Sequence, residues 1–212
     1  MFIELIDLLR CINAHDDTWL VASFNKVNNR FVDEAKLGCP SCSAEYWIRG
    51  GLADFSGGVV LPECEEERKA ASHRREELAT RAGAYLDATE PGATIVLGGL
   101  WAYAAQELST MAEDRVLALN PPSEVKESET VGLVRVGSEI PLAAGSVFGV
   151  ALDAWFPAKI VESAVRVVRP GGRIVGPADI DAPSELSILA RDDKYWVAQK
   201  APEVIKLSRA SR

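Results

Sequence analysis

The chain is poor in the residues that most often carry chemistry. Only two histidines, His15 and His73, occur in 212 residues, and no Gly-x-Ser-x-Gly elbow is present. A Ser-His-Asp type of nucleophilic machinery therefore has no visible parts. Positive charge is also scarce: 23 Lys and Arg against 31 Asp and Glu leave a formal net charge of −8. Proteins that grip a nucleic-acid backbone release its counterions with Lys and Arg, so direct nucleic-acid binding is not expected. No apolar run approaches the ~18–20 residues needed to cross a bilayer. The opening Met1–Leu9 is apolar but short, and Glu4 and Asp7 interrupt it. It lacks the basic flank and small-residue cleavage site of a secretory signal. A cytoplasmic location away from membranes is the expectation. Four cysteines in a chain of this length do not make a disulfide framework.

What is present is a globular composition, 48% hydrophobic and 25% charged, with room for one ordinary domain and a small one. Three of the four cysteines fall near the start. Cys39-Pro40-Ser41-Cys42 is a C-x2-C knuckle, and Cys11 with His15 is a C-x3-H pair. Zinc prefers four tetrahedral ligands drawn from thiolate and imidazole, and two short-spaced pairs supply that set. Between them, Trp19 to Phe24 and the turn formers Asn25, Asn28 and Asn29 suit a β-hairpin. A ribbon more often offers a second C-x2-C pair. Here position 14 is Ala, so the fourth ligand comes one residue later, at His15. A three-cysteine site, or one without metal, is the competing reading. Cys64 is expected to be a solitary thiol, and His73 to lie on a solvated helix face.

The rest of the chain reads as strands alternating with helices. One helix is expected from about residue 62 to 88, after Pro62 and an acidic first turn. Strands are expected at 93–97, 115–119, 131–136, 147–152 and 173–175. Helical apolar spacing falls at Leu100, Ala104, Leu108 and Met111, and again from Phe156 to Val168. Leu186–Ala190 and Tyr195–Ala198 read as a closing antiparallel hairpin. Such alternation implies a parallel sheet with ligands at the strand C-termini. The expected division is a zinc-ribbon domain at 1–58, a linker helix at 59–90, a Rossmann-like domain at 91–202 and a tail at 203–212.

Two resemblances bear on function. Asp7-Leu8-Leu9-Arg10-Cys11, Leu37-Gly38-Cys39-Pro40-Ser41-Cys42 and Glu45-Tyr46-Trp47-Ile48-Arg49-Gly50-Gly51 together resemble the small zinc-ribbon activator subunits of RNA and protein methyltransferases. That family has Pro and Asp where this chain has Trp47 and Gly50. Further on, the stretch from Ile140 to Val150, and Arg166-Val167-Val168-Arg169-Pro170-Gly171-Gly172-Arg173, resemble class I S-adenosylmethionine-dependent methyltransferases. The fold class implied is α/β: a small zinc ribbon plus a compact Rossmann-like methyltransferase sheet with a C-terminal antiparallel hairpin.

The second resemblance also implies a cofactor site, and there the chain departs from its pattern. The acidic residue that ends the first strand in that family is Val96 here. The glycine slots are Gly98, Leu100 and Ala102, with Trp101 between them. The ribose-binding acid is replaced by Asn120, the adenine-facing acid by Val136, and two later aspartates by Ala144 and Phe148. Gly98, Gly99, Asn120 and Ile140 are left as a vestigial S-adenosylmethionine site. Each lost polar partner costs roughly 1–3 kcal/mol, so S-adenosylmethionine is a doubtful cofactor while zinc is an expected one. The reading that follows is a methyltransferase-like protein with an eroded cofactor site, acting without catalysis as a structural or regulatory partner. It would work as a homodimer or beside a partner methyltransferase. The alternative is an active S-adenosylmethionine-dependent methyltransferase with an unknown acceptor. Asp153 follows the fourth strand, where it either lines a pocket with Trp155 or caps the next helix. The connections at 120–130 and 176–184 are short, which leaves a sheet edge or face for a partner chain to cover.

Overall fold

A computed structural model of the chain describes residues 1–61 and 65–202. Cys64 and the 203–212 tail lie outside the described residues.

The first half is a meander. After a single helical turn, α1 (Ile3–Ile6), come β1 (Val21–Asn28), β2 (Phe31–Gly38), β3 (Glu45–Arg49) and β4 (Leu52–Phe55), each antiparallel to the next. The β1–β2 hairpin turns through Asn29 and Arg30, at φ 47° and 71°. Both central residues at positive φ give a turn whose twist matches that of the strands it joins, and Asn tolerates the conformation well.

Two helices follow, not one. α2 is Glu65–Ser72 and α3 is Arg75–Leu86. The break falls where side chains compete for backbone. The Ser72 hydroxyl donates to the Lys69 carbonyl at 2.8 Å, and the His73 ring reaches the same carbonyl at 2.7 Å. Such local bonds offer the chain an alternative to the helix ladder, which the charge pattern of the segment did not reveal.

The second half alternates: β5 (Thr94–Gly98), a 3-10 turn (Gly99–Ala104), α4 (Ala105–Ala112), β6 (Arg115–Leu119), β7 (Val131–Val136), β8 (Val147–Ala151), α5 (Ala158–Val167), β9 (Val168–Pro177), β10 (Leu186–Arg191) and β11 (Tyr195–Lys200). β7, β6, β5, β8 and β9 are parallel neighbours, and β11 and β10 close the sheet antiparallel. This is a mixed α/β, Rossmann-like sheet ending in the expected hairpin. The strands from β5 to β8 are largely apolar because both faces are mostly covered, with Arg115 and Arg135 as their exposed positions. On β5, Ile95 and Leu97 join one core cluster with α3 and α4, while Val96 joins the other with α5.

The two halves are continuous. β4 pairs in parallel with β7, from Leu52 opposite Leu133 to Phe55 opposite Val136, so eleven strands form one sheet. No helix stands between β7 and β8, and the face of β6 and β7 opposite α4 is covered by the chain's own N-terminal segment. Met1, Leu5, Ile6 and Leu9 are buried there with Leu117, Val134 and Val136. Gly132 lets this happen: a Cβ on it would sit 2.8 Å from Leu117 Cδ2 and 3.1 Å from Leu5 Cδ1. The β7 edge that a partner strand could have paired with is thus filled in cis by β4, while the α4 side of β7 still presents Leu133 half-buried and Arg135 exposed.

Candidate metal centre and the strand-end turn

The structure brings Cys11, His15, Cys39 and Cys42 together, their ligand atoms all within 4.8 Å of one another. The connection after α1 carries Cys11 and His15, and the β2–β3 turn carries the other pair. Cys11 Sγ lies 3.6 Å from Cys42 Sγ, and Cys39 Sγ lies 3.4 Å from His15 Nε2. Sulfur at about 2.3 Å from zinc in tetrahedral geometry puts neighbouring ligand atoms about 3.7 Å apart, which matches these spacings.

The surroundings orient the donors. His15 Nδ1 meets the Asp16 carbonyl at 2.7 Å. With Nδ1–H donating there, Nε2 is the nitrogen left to face Cys39, as second-shell bonds do for metal-bound histidines. The Cys39 N–H donates to the Ala44 carbonyl at 2.8 Å and the Ser43 N–H to the Cys39 carbonyl at 2.9 Å. Ser43 sits at φ 59° to close the knuckle. The Ala44 backbone, with further help from Asn13 and His15, brings the Cys42 thiol down to about 6. Burial pushes the Cys11 thiol up, against the opposing hydrogen bond from Tyr46 at 3.2 Å. Tyr46 itself stacks on Phe55 with ring centroids 4.4 Å apart, which ties the cluster to β4.

The positions that the sequence resemblance assigned to a cofactor make contacts within the protein itself. β5 ends at Gly98, and Gly99 takes φ +63°. A Cβ at Gly99 would lie 2.2 Å from Asp153 Oδ2. Glycine is required there both by conformation and by the carboxyl pressed against it. Asp153 follows β8, is 2% exposed, and accepts from the Leu100 N–H at 2.5 Å and the Trp155 N–H at 3.0 Å. Burial pushes its carboxyl up to about 7 despite those two bonds.

Asn120, at the end of β6, is spent on the backbone. Its Oδ1 accepts from the Val136 N–H at 2.8 Å, and its Nδ2 donates to the Val136 carbonyl at 3.1 Å. Ile140 is fully buried, with its N–H on the Ser163 hydroxyl and its carbonyl on Arg166. Leu142 is bridged to Leu9, and Val96 and Val136 are core. Trp101 lies in the α3/α4 core rather than in the mouth of the turn. It is 1% exposed, 5.0 Å from the Tyr195 ring and 6.2 Å from that of Tyr85. Leu100 alone of the two large residues flanks the turn's open side. Sequence spacing had no means of giving this inward orientation of Trp101.

No protein-family model and no curated protein sequence matches the chain. Several solved structures are similar to parts of it. One is a protein from Methanococcus maripaludis assigned as an S-adenosyl-L-methionine-dependent methyltransferase, at 11% identity over 71% of this chain and 100% of that one, TM-score 0.44. Another, from Galdieria sulphuraria, is assigned as a sarcosine dimethylglycine methyltransferase, at 19% identity over 57% and 54%, TM-score 0.40. The [4+2]-cyclase SpnF matches at 14% identity over 48% and 44%, TM-score 0.40. The chain spans about half the length of the last two.

Proposed function

We propose that this chain is a non-catalytic, methyltransferase-like protein, stapled by zinc at its N-terminal meander and serving as a structural or regulatory partner. The observation that carries the reading is the double hydrogen bond between Asn120 and Val136. Both ends of the amide in the ribose position are committed to the Val136 backbone, which fixes its orientation away from that of a free ribose acceptor. Asp153 against Gly99, and Leu9 on Leu142, support the same conclusion from the other two sides of the site. These residues do not fit S-adenosylmethionine. The four-residue cluster does fit zinc, because it offers three thiols and one imidazole nitrogen at tetrahedral spacings. The partner is either a second copy of the chain or an active methyltransferase. Because β4 already pairs with β7 in cis, such a partner would dock elsewhere than on that edge.

Calorimetric titration with S-adenosylmethionine and S-adenosylhomocysteine tests the proposal. The expected dissociation constant is about 1 mM or weaker. Saturation in the low micromolar range would replace it with the second reading, an active methyltransferase. That reading draws on one observation, the cavity that opens beside the Gly98–Leu100 turn.

A further inference from the structure

The direction of strand order reverses between β5 and β8. β6 and β7 lie to one side of β5, and β8 and β9 to the other. In open α/β sheets the crevice at the C-terminal ends of such strands is where ligands bind. Here it is a cavity of about 350 Å³, within the range of small-molecule sites.

Its inner end is defined by few groups. Asp153 lies on the floor, 2% exposed. Leu100, Trp155 and Tyr195 line the cavity together with Leu78 from α3. The Tyr195 phenol is held in its protonated form, pushed up to about 12 by burial and then by the negative charges of Asp153 and Glu67. Both Asp153 oxygens already accept from backbone N–H groups. Each retains a further lone pair for which the described residues offer no donor at hydrogen-bond distance. A buried carboxyl is costly unless paired, and it faces a space walled by aromatic rings.

Charge at the mouth is mixed, and two of its three cations are engaged elsewhere. Arg74 and Arg81 both bind Glu77, and Lys194 is exposed at the rim. Asp179 and Asp193 add negative charge beside them. The deep end thus offers a buried carboxyl that a neighbouring cation would hold in its charged form, and its walls offer π-faces that attract cations.

We propose that this cavity binds a small aromatic amine, with its nitrogen on Asp153 and its ring between Trp155, Tyr195 and Leu78. This goes beyond the non-catalytic reading, for which the ligand would be a regulatory signal.

Tryptamine is the probe, and indole-3-propionate, which has the same ring with a carboxylate in place of the amine, is the control. Both are titrated into the intact protein by calorimetry and followed by amide shifts of Leu100, Ala154 and Lys194. Saturable tryptamine binding at about 1 mM or tighter, at least tenfold stronger than that of the control, is expected. Equal binding of the two, or no saturation by tryptamine, overturns the proposal. Asp153→Asn should weaken tryptamine tenfold or more. Because that variant also loosens the turn, Trp155→Ala serves as a second check: it leaves the core intact and should weaken tryptamine several-fold, and an unchanged affinity counts against the site. Titration of S-adenosylmethionine alone bears separately on the non-catalytic reading. Its tight binding sinks that reading, while the tryptamine result stands or falls by itself.

Discussion

Asn120 and Val136 are joined as though the side-chain amide were one more residue of a β-ladder. Val136 is the last residue of β7, where backbone groups run out of strand partners, and Asn120 supplies both an acceptor and a donor. It does so from the left-handed region, at φ 46°, a conformation that Asn adopts more readily than most residues. Asn at this position is therefore a structural gain for the end of β7.

Asn120→Asp keeps the acceptor but places a second oxygen against the Val136 carbonyl. It should destabilise the fold by about 1–3 kcal/mol, read as a shift in urea midpoint at neutral pH. It should also fail to restore cofactor affinity, even together with Leu100→Gly and Ala102→Gly. A gain of tenfold or more in S-adenosylmethionine affinity would mean that the amide is easily freed from Val136.

Elemental analysis of protein purified without added metal should find about one zinc per chain. Cys39→Ser should abolish that and lower the melting temperature, since structural zinc contributes folding energy directly. Cys64→Ser should leave the metal content unchanged. A stoichiometry near zero in the unaltered chain would count against the metal and favour a bare thiol cluster.

Asp153 makes stability depend on pH in a defined direction. An ordinary aspartate titrates near 4, whereas this one is pushed up to about 7. Between those values the folded protein keeps a proton that the unfolded chain releases. Its contribution is complete below about pH 4 and falls as pH rises to about 7, at no more than about 1.4 kcal/mol per pH unit. Asp153→Asn does not titrate. Urea unfolding at pH 5, 6, 7 and 8 should show the stability of wild type falling relative to the variant as pH rises, and levelling off above about pH 7. A constant gap would contradict the assignment.

Leu5→Ala tests the cover supplied by the N-terminal segment. Leu5 is fully buried, and truncating a buried leucine costs about 2–5 kcal/mol. Because the sheet is continuous, β7 amide protons should lose exchange protection along with β1–β4. Protection lost in the meander alone would show two independent folding units.

Much of the fold was legible because it rests on local rules. The apolar β-branched runs at Thr94–Gly98, Arg115–Leu119 and Val131–Val136 are strands in which nearly every residue is buried. The paired spacings of Cys11, His15, Cys39 and Cys42 mark residues that do meet. What was not legible depends on distant partners. Nothing in Leu52–Phe55 specifies a parallel neighbour at Leu133–Val136, and the periodicity of Leu100 to Met111 gives no sign that Trp101 turns inward. The same periodicity put Met111 on the apolar face, where it is instead 60% exposed. Asp153 was legible as either a cap or a pocket residue. The structure gives it the pocket and not the cap: α5 starts at Ala158 with Pro157 at its N-cap and no side-chain bond there, while Asp153 accepts from the Leu100 and Trp155 N–H groups beside the cavity.

The cover that Met1–Leu9 forms over β6 and β7 also sets an order of events. These nine residues leave the ribosome long before Arg115–Val136, the strands they pack on, have been made. Until then Met1, Leu5, Ile6 and Leu9 have no sheet to lie against, and β4 has an unpaired edge. Contacts so far apart in sequence form slowly, and exposed apolar segments and strand edges invite aggregation meanwhile. The nascent chain is thus a natural client for chaperones that shield hydrophobic segments, and early metal capture would limit the exposure by fixing the meander while the rest is synthesised.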